Sequence, residues 1–157
     1  MTRILGIDPG VGRIGFGVID KDSDFLLVDY GTITTPKVER QERLSRIHSE
    51  VSNLLHIHKP DLMALEKLFF NKNLKTAMAV GEAIGVVLLA AYQASVPVAE
   101  YTPLQVKEVL AGSGRAKKHE IKGMLELFFN QEIKGHDDAA DALAVAYCHL
   151  TFESLGL

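Results

Sequence analysis

The first third of the chain carries short apolar runs that predict β-strands. Residues 3–8, 15–20 and 25–35 are rich in apolar or β-branched side chains, and the polar turn "KDSD" separates the second run from the third. Runs this short, joined by short turns, pair with their sequence neighbours. The pattern therefore predicts an antiparallel meander of three strands.

From residue 39 onward the apolar residues recur at helical spacing. Leu44, Ile47 and Val51 predict a helix over 39–57, which Lys59-Pro60 ends. The later runs predict a strand at 61–66, helices at 73–94 and from 102 to about 110, a strand at 96–101, and helices at 117–130 and 137–153. This order, βββαβαβααα, predicts an α/β fold: a mixed five-stranded sheet, antiparallel first and parallel afterwards, flanked by helices.

Composition indicates one domain, residues 1–157. A chain of 157 residues with 47% hydrophobic content can bury one good core and is too short for two ordinary ones. Cys148 is the only cysteine, so an intrachain disulfide is impossible. No apolar stretch is expected to approach the roughly 18 residues that span a bilayer, and the N-terminus lacks a signal-peptide layout. We expect a cytoplasmic protein without a membrane segment.

The charge of the chain is acidic overall and basic in two places. A net charge of −3 argues against nucleic-acid binding, because phosphate contacts usually leave a basic footprint. One local group is Lys67, Lys72 and Lys75; the other is Lys107, Arg115, Lys117, Lys118 and Lys122. Each group is open to two interpretations, a solvated helix face or a patch that binds phosphates.

Four carboxylates stand directly beside buried apolar sequence. Asp8 and Glu66 each end a predicted strand, and Asp138 and Asp141 are three residues apart, which places them on one face of the last helix. Each has a structural alternative when taken alone: Asp8 begins a turn at Pro9-Gly10, Glu66 pairs with Lys67 or Lys72, and Asp138 caps the helix N-terminus or favours its dipole.

Together the four acids favour a metal site. Unpaired carboxylates beside apolar sequence are costly, and bringing them together without a cation would be strongly repulsive. Oxygen ligands favour Mg²⁺ or Mn²⁺, and no Cys/His spacing supports zinc. Two such ions on a phosphodiester would activate water on one side and stabilise the leaving oxygen on the other. The sequence therefore predicts phosphodiester hydrolysis.

A set of ordered motifs extends this interpretation. "GIDPG" with "GFGVI", "ALEKLFFNKN", "PVAEYTPLQVK", "GRAKK" and "DAADALAVA" occur from residue 3 to about 150. In order and spacing they resemble the bacterial RuvC Holliday-junction resolvases. The resemblance implies a ribonuclease-H-like fold and a homodimer that nicks four-way DNA junctions symmetrically in recombination and repair. It further implies two Mg²⁺ per active site, for which Mn²⁺ can substitute, 5′-phosphate and 3′-hydroxyl ends, and cooperation with the RuvAB branch-migration complex.

The resemblance also implies roles for individual residues. Asp8, Glu66, Asp138 and Asp141 match the family's metal-binding acids, and Asp137 is a second acid to which the family pattern gives no role. Phe69 matches an aromatic residue suited to stacking on a base at the junction centre, with core packing as the alternative. Lys107 and Lys118 match positions near the scissile phosphate, Lys118 with a catalytic part, while Lys72, Arg115, Lys117 and Lys122 are expected to contact DNA. Cys148, His149 and His136 are assigned to structure.

Two features remain open at this stage. The helix at 73–94 has Ala77, Gly81 and Gly85 at four-residue steps, a stripe that suits either packing on the sheet or a dimer seam. Rival functions are a phosphotransferase of the actin and sugar-kinase type, which needs two lobes where this length supplies one, and a junction-binding scaffold without activity, against which the presence of all four acids argues.

Overall fold

The computed structural model of the chain describes residues 1–67 and 74–157. Its elements are β1 (Thr2–Asp8), β2 (Arg13–Lys21), β3 (Phe25–Thr34), α1 (Arg40–His58), β4 (Leu62–Glu66), α2 (Leu74–Gln93), β5 (Val98–Tyr101), α3 (Pro103–Ala111), α4 (Lys118–Phe129) and α5 (Asp137–Leu155). The predicted order of strands and helices is confirmed, and no boundary differs from its prediction by more than two residues.

The five strands form one mixed sheet in the order β3-β2-β1-β4-β5. β1, β2 and β3 pair antiparallel, as the meander predicts, whereas β4 lies parallel to β1 and β5 parallel to β4. Because Ile7 pairs with Leu65 in the parallel β1–β4 pair, the next residues, Asp8 and Glu66, lie side by side at the same edge of the sheet. The topology thus brings together two acids that are far apart in sequence.

Helices cover both faces of the sheet. α1 and α2 pack on one face, where Leu5, Ile7 and Met63 meet Val51 and Val87. α3, α4 and α5 pack on the other, over a second buried cluster that includes Leu125, Leu143 and Leu150. On α5, Leu143, Val145 and Ala146 are buried.

Helix α3 begins as the sequence indicates. Thr102 is its N-cap, accepting a hydrogen bond from the Gln105 amide, while the Gln105 side chain accepts one from the Thr102 amide. Pro103 occupies the first helical turn, where a missing amide proton costs nothing. This capping box fixes the start of the helix that carries Lys107.

Helix α2 contradicts the expectation that no apolar stretch has the length of a membrane span. Within the described residues, the segment Leu74–Gln93 has the length and composition of such a span, with a mean hydropathy of 1.7, and 22% of its window is buried. Two charged residues, Lys75 and Glu82, interrupt the apolar run in the sequence, but the helix remains apolar on most sides. Its buried residues are Ala83, Val87, Ala90 and Ala91.

The stripe of small residues on α2 does not pack on the sheet as a unit. Gly85 is exposed, and within residues 1–67 and 74–157 a Cβ atom there would have no neighbour within 4 Å. Large apolar side chains of the same helix, among them Leu74, Met78, Leu89 and Tyr92, are also exposed. Sheet packing therefore does not explain this face of the helix.

Candidate active site

Asp8 and Glu66 form the floor of a cleft at the edge of the sheet. Both keep partial solvent access, although each is the last residue of a strand and the residues just before it are buried. Their carboxyl groups are close enough to interact, and this contact contributes to the raised pKa of Asp8.

Asp138 and Asp141 reach the same cleft from the first turns of α5. His136 is the N-cap residue, so Asp137 and Asp138 are the first two residues of the helix. Asp138 and Asp141 line the cleft together with Asp8 and Glu66. Asp137 is exposed and is not among the lining residues.

Close contact between α5 and the sheet places these acids. A Cβ atom on Gly15 would overlap the main-chain carbonyl oxygen of Asp138, and one on Gly6 would overlap that of Ala142. Both glycines belong to motifs of the sequence, but the sequence does not show that α5 packs against them. They let the helix backbone approach the strands, a close approach that glycine alone permits.

The electrostatics of the cleft show a site with too few cations for its acids. Burial and the neighbouring Glu66, Asp141 and Asp138 raise the pKa of Asp8 to about 10. Burial is also the main cause that raises the pKa values of Glu66 and Asp141, and Lys118 opposes both shifts. The acids are therefore held at a cost that added positive charge would relieve.

Three lysines bring positive charge to the cleft. Lys107, Lys117 and Lys118 line it, and the Lys118 Nζ lies 3.5 Å from an Asp141 carboxylate oxygen. The neighbouring Asp141 in turn raises the pKa of Lys118. Of the other predicted DNA-contacting residues, Arg115 is exposed in the loop before α4, and Lys122 is half-buried on α4 outside the cleft lining.

Arg13 is a further cation that sequence reasoning missed. Its Nε lies 3.2 Å from an oxygen of Asp138, and its side chain is 48% exposed. Arg13 opens β2 just after the turn that follows Asp8. Its position between two motifs was visible in the sequence, but its contact with α5 depends on the fold.

The donor set of the cleft fits divalent cations that prefer oxygen. Four carboxylates from three separate elements line a cavity of about 590 Å³. Within residues 1–67 and 74–157, no three acidic, histidine or cysteine side chains are already gathered as a metal-binding group. Asp8 and Glu66 interact with each other, and the two acids of α5 each face a cation.

The other residues singled out in the sequence are placed as follows. Phe69 and Lys72 lie outside the described residues. Cys148 is buried, which raises the pKa of its thiol to about 12. The His149 Nδ1 lies 2.7 Å from the Tyr101 hydroxyl, and His136 borders a cavity beside the cleft. Cys148 and His149 thus have the structural surroundings expected of them.

Comparison with known proteins settles the family. The family model described as crossover junction endodeoxyribonuclease RuvC matches residues 4–149. The chain belongs to the RuvC family. It is accordingly an endodeoxyribonuclease that acts on crossover junctions. A RuvC from Halothermothrix orenii is 50% identical over 149 residues, covering 93% of this chain and 90% of that protein. One from Brevibacillus brevis is 48% identical over 155 residues, covering 97% and 93%.

Solved structures agree with this assignment. Thermus thermophilus RuvC in complex with a Holliday junction substrate superposes with a TM-score of 0.93 at 37% identity, covering 99% of this chain and 97% of that one. The yeast mitochondrial Holliday junction resolvase Ydc2 shares the fold, with a TM-score of 0.73 at 12% identity over 98% of this chain and 81% of that chain. The family membership contradicts the argument from net charge, because a chain with a net charge of −3 nevertheless belongs to a family of DNA endonucleases.

Proposed function

We propose that this enzyme resolves four-way DNA junctions by paired symmetric nicks, using Mg²⁺, or Mn²⁺ in its place. The observation that carries the proposal is the convergence of four carboxylates from β1, β4 and α5 in one lysine-lined cleft. Its family membership supplies the junction as substrate. The Thermus thermophilus relative, described in complex with a Holliday junction substrate, supports the same choice.

The four acids are proposed to hold the ions. Asp8 would lose its proton when the site is loaded, because a divalent cation offsets the burial and the repulsion that raise its pKa. Asp138 and Asp141 would complete the site from α5. Two ions bound there would activate the attacking water and stabilise the leaving oxygen, which yields 5′-phosphate and 3′-hydroxyl ends.

The cations of the cleft are proposed to position the DNA strand. Lys107, Lys117 and Lys118 face the space that a scissile phosphate would enter. Lys118 also lies beside Asp141, so its charge can assist both that carboxylate and the phosphate. Arg115 and Lys122 would add contacts outside the cleft, which position the backbone without reading sequence. Phe69 and Lys72 stay assigned to the junction centre and to DNA binding.

Two symmetric cuts require two active sites on one substrate, so we propose a homodimer. The exposed apolar face of α2 is its proposed seam, because a second copy would cover the side chains that the sheet leaves exposed. An apolar interface also accounts for a membrane-like helix in a DNA-processing enzyme. Cooperation with RuvAB and a cytoplasmic location, where the DNA substrate lies, complete the proposal.

Cleavage and binding assays test this function together. Labelled four-way junction DNA with Mg²⁺ is expected to give paired nicks, whereas duplex DNA of the same sequence should remain intact. Asp8→Asn and Glu66→Gln should abolish nicking and leave junction binding within about twofold of wild type. Binding that disappears in parallel with cleavage would contradict the metal-holding role. Nicking by wild type that persists in EDTA would contradict the dependence on a metal.

A further inference from the structure

Asp138 and Asp141 of α5 each pair with a cationic side chain, and the two cations come from different elements of the fold. Lys118, at the start of α4, lies 3.5 Å from Asp141, and Arg13, at the start of β2, lies 3.2 Å from Asp138. Lys118 lines the active cleft itself, whereas Arg13 does not. The second ion pair therefore connects the site to a neighbouring part of the surface.

That neighbouring surface is a separate cavity of about 440 Å³. It is lined by residues 10–13 of the turn after β1, by Thr34 and by His136, and it shares Asp138 with the active cleft. Asp138 is the one carboxylate among these described lining residues. Once Asp138 binds another cation, Arg13 is left facing a space whose remaining lining is neutral or basic.

We propose that Arg13 is a phosphate ligand that metal binding releases, and that this cavity holds a backbone phosphate next to the cleaved one. Without metal, Arg13 neutralises Asp138. A divalent cation on Asp138 displaces the guanidinium, which then binds a DNA phosphate in the cavity. The inference rests on the proposed function, because it assumes that Asp138 holds metal and that DNA enters the cleft.

The exposure of Arg13 makes this exchange feasible. Its side chain is about half exposed, so it can change partners without a rearrangement of the buried core. A guanidinium offers donors in a planar fork that fits carboxylate and phosphate oxygens equally well. A monovalent guanidinium at a half-exposed site holds a carboxylate weakly, about 0.2–1 kcal/mol, so a divalent ion supported by three further acids should displace it.

The exchange has two consequences that can be measured. Arg13 competes with metal for Asp138, so removing Arg13 should strengthen metal binding in the absence of DNA. Because Arg13 becomes available to phosphate only after metal binds, metal and DNA should strengthen each other's binding, and this reciprocal coupling should depend on Arg13. A simple positioning residue for Asp138 would give the opposite sign in the first measurement.

Calorimetry with Ca²⁺ and no DNA tests the first consequence. Arg13→Gln should bind Ca²⁺ about two- to fivefold more tightly than wild type, the range that an exposed ion pair supplies. Arg13→Lys, which keeps the charge, should remain close to wild type. Arg46→Gln is the matched control, since Arg46 is 50% exposed and pairs with Glu42 on α1; it should change nothing. Equal or weaker Ca²⁺ binding by Arg13→Gln overturns the counter-ion role.

Junction binding tests the second consequence. The dissociation constant for junction DNA is measured in EDTA and again in Ca²⁺, on DNA verified as uncut. The value in EDTA divided by the value in Ca²⁺ should be at least about twofold smaller for Arg13→Gln than for wild type or Arg46→Gln. An unchanged ratio overturns the phosphate role. Wild-type cleavage with Mg²⁺ is measured in parallel: if wild type fails to nick junctions, the proposed function fails, whereas normal nicking with unaltered Ca²⁺ binding and ratio defeats only the role of Arg13.

Discussion

Gly15 of β2 lies directly beneath the main-chain carbonyl of Asp138 on α5, with no room for a Cβ atom between them. The acid on α5 is therefore placed by a glycine on a strand more than 120 residues earlier in the chain. Any side chain at position 15 must push the first turn of α5 away from the sheet. The position of Asp138 in the cleft thus depends on this backbone contact as well as on its own side chain.

Gly15→Ala should consequently impair both folding stability and metal binding. Overpacking of this kind costs about 1–3 kcal/mol, and the displaced Asp138 should weaken Ca²⁺ binding measured by calorimetry. Gly123→Ala is the matched control, because a Cβ atom at Gly123 on α4 has no neighbour within 4 Å; it should be neutral or stabilising. A Gly15→Ala protein with wild-type melting temperature and Ca²⁺ affinity would show that the helix does not need this contact.

Substitutions of the two adjacent acids at the start of α5 should differ sharply in their effect on nicking. Asp138 lines the cleft, whereas Asp137 is exposed and lies outside its lining. Asp138→Asn should remove most Mg²⁺-dependent nicking across a Mg²⁺ titration. Asp137→Asn should keep it and lose at most the ~0.3–1 kcal/mol that an acid gains at a helix N-terminus. If Asp137→Asn is the inactive variant, the assignment of Asp138 as the ligand is off by one residue.

The sequence was sufficient for features that depend on local pattern. The change from strand-like runs to helical spacing at residue 39 predicted the meander and α1, because periodicity reflects which face of an element is buried. Asp8 and Glu66 were identifiable because a carboxylate directly after a buried run is unusual. Family motifs then chose between Asp137 and Asp138, where helical spacing alone allows either residue to share a face with Asp141.

Features that depend on tertiary contact were out of reach. The ion pair between Arg13 and Asp138 joins residues 125 positions apart, and nothing in the local sequence of either residue indicates the other. The exposed face of α2 is a similar case. Its apolar character was visible, but an apolar helix has the same composition whether it covers the sheet, crosses a membrane or meets a partner. The exposure of Gly85 and Tyr92 shows that this face does not cover the sheet, which excludes the first of these cases.

The raised pKa of Asp8 should make the metal-free protein less stable as the pH rises. The pKa of Asp8 is raised to about 10, so the folded protein holds this proton more tightly than the unfolded chain, in which an Asp titrates near ~3.9. Between these two values the free energy of unfolding decreases with pH. Thermal unfolding in EDTA from pH 5 to 9 should show this decrease.

Asp8→Asn provides the test of cause. The melting temperature of the variant should fall less with rising pH than that of wild type. At pH 9 in EDTA it should exceed the wild-type melting temperature by ~2–4 °C, which corresponds to ~1 kcal/mol in a domain of this size. Added Mg²⁺ should stabilise wild type and leave Asp8→Asn nearly unchanged. Asp22→Asn, in the exposed turn after β2, should follow wild type throughout. Equal pH slopes for wild type and Asp8→Asn would refute the explanation.

Lys118 should affect turnover beyond its effect on DNA binding. It lies beside Asp141 in the cleft, whereas Lys122 on the same helix lies outside the lining. Both Lys→Ala variants lose one phosphate-attracting charge, so both should bind junctions less tightly at high salt. At low salt and saturating enzyme, single-turnover cleavage by Lys122→Ala should recover, while Lys118→Ala should remain about 10²-fold slower. Full recovery of Lys118→Ala would reduce its role to positioning the backbone.

The α2 face should determine whether the enzyme can cut both strands. Gly85 is exposed, and among the described residues a Cβ atom there has no neighbour within 4 Å; the substitution to leucine also exchanges a poor helix former for a good one. Gly85→Leu should therefore fold normally. If two copies approach each other closely at this glycine, the added side chain should weaken their association.

Sedimentation over a range of concentrations measures this directly. Gly85→Leu should dissociate to monomer at concentrations where wild type is dimeric, and its junction products should shift from paired cuts to single nicks, because each monomer carries one cleft. Gly123→Leu places the same side chain at an open position on α4 and should remain dimeric. A Gly85→Leu protein that stays dimeric with paired cuts would place the seam elsewhere. The exposed Met78 and Tyr92 of α2 would then need a different partner.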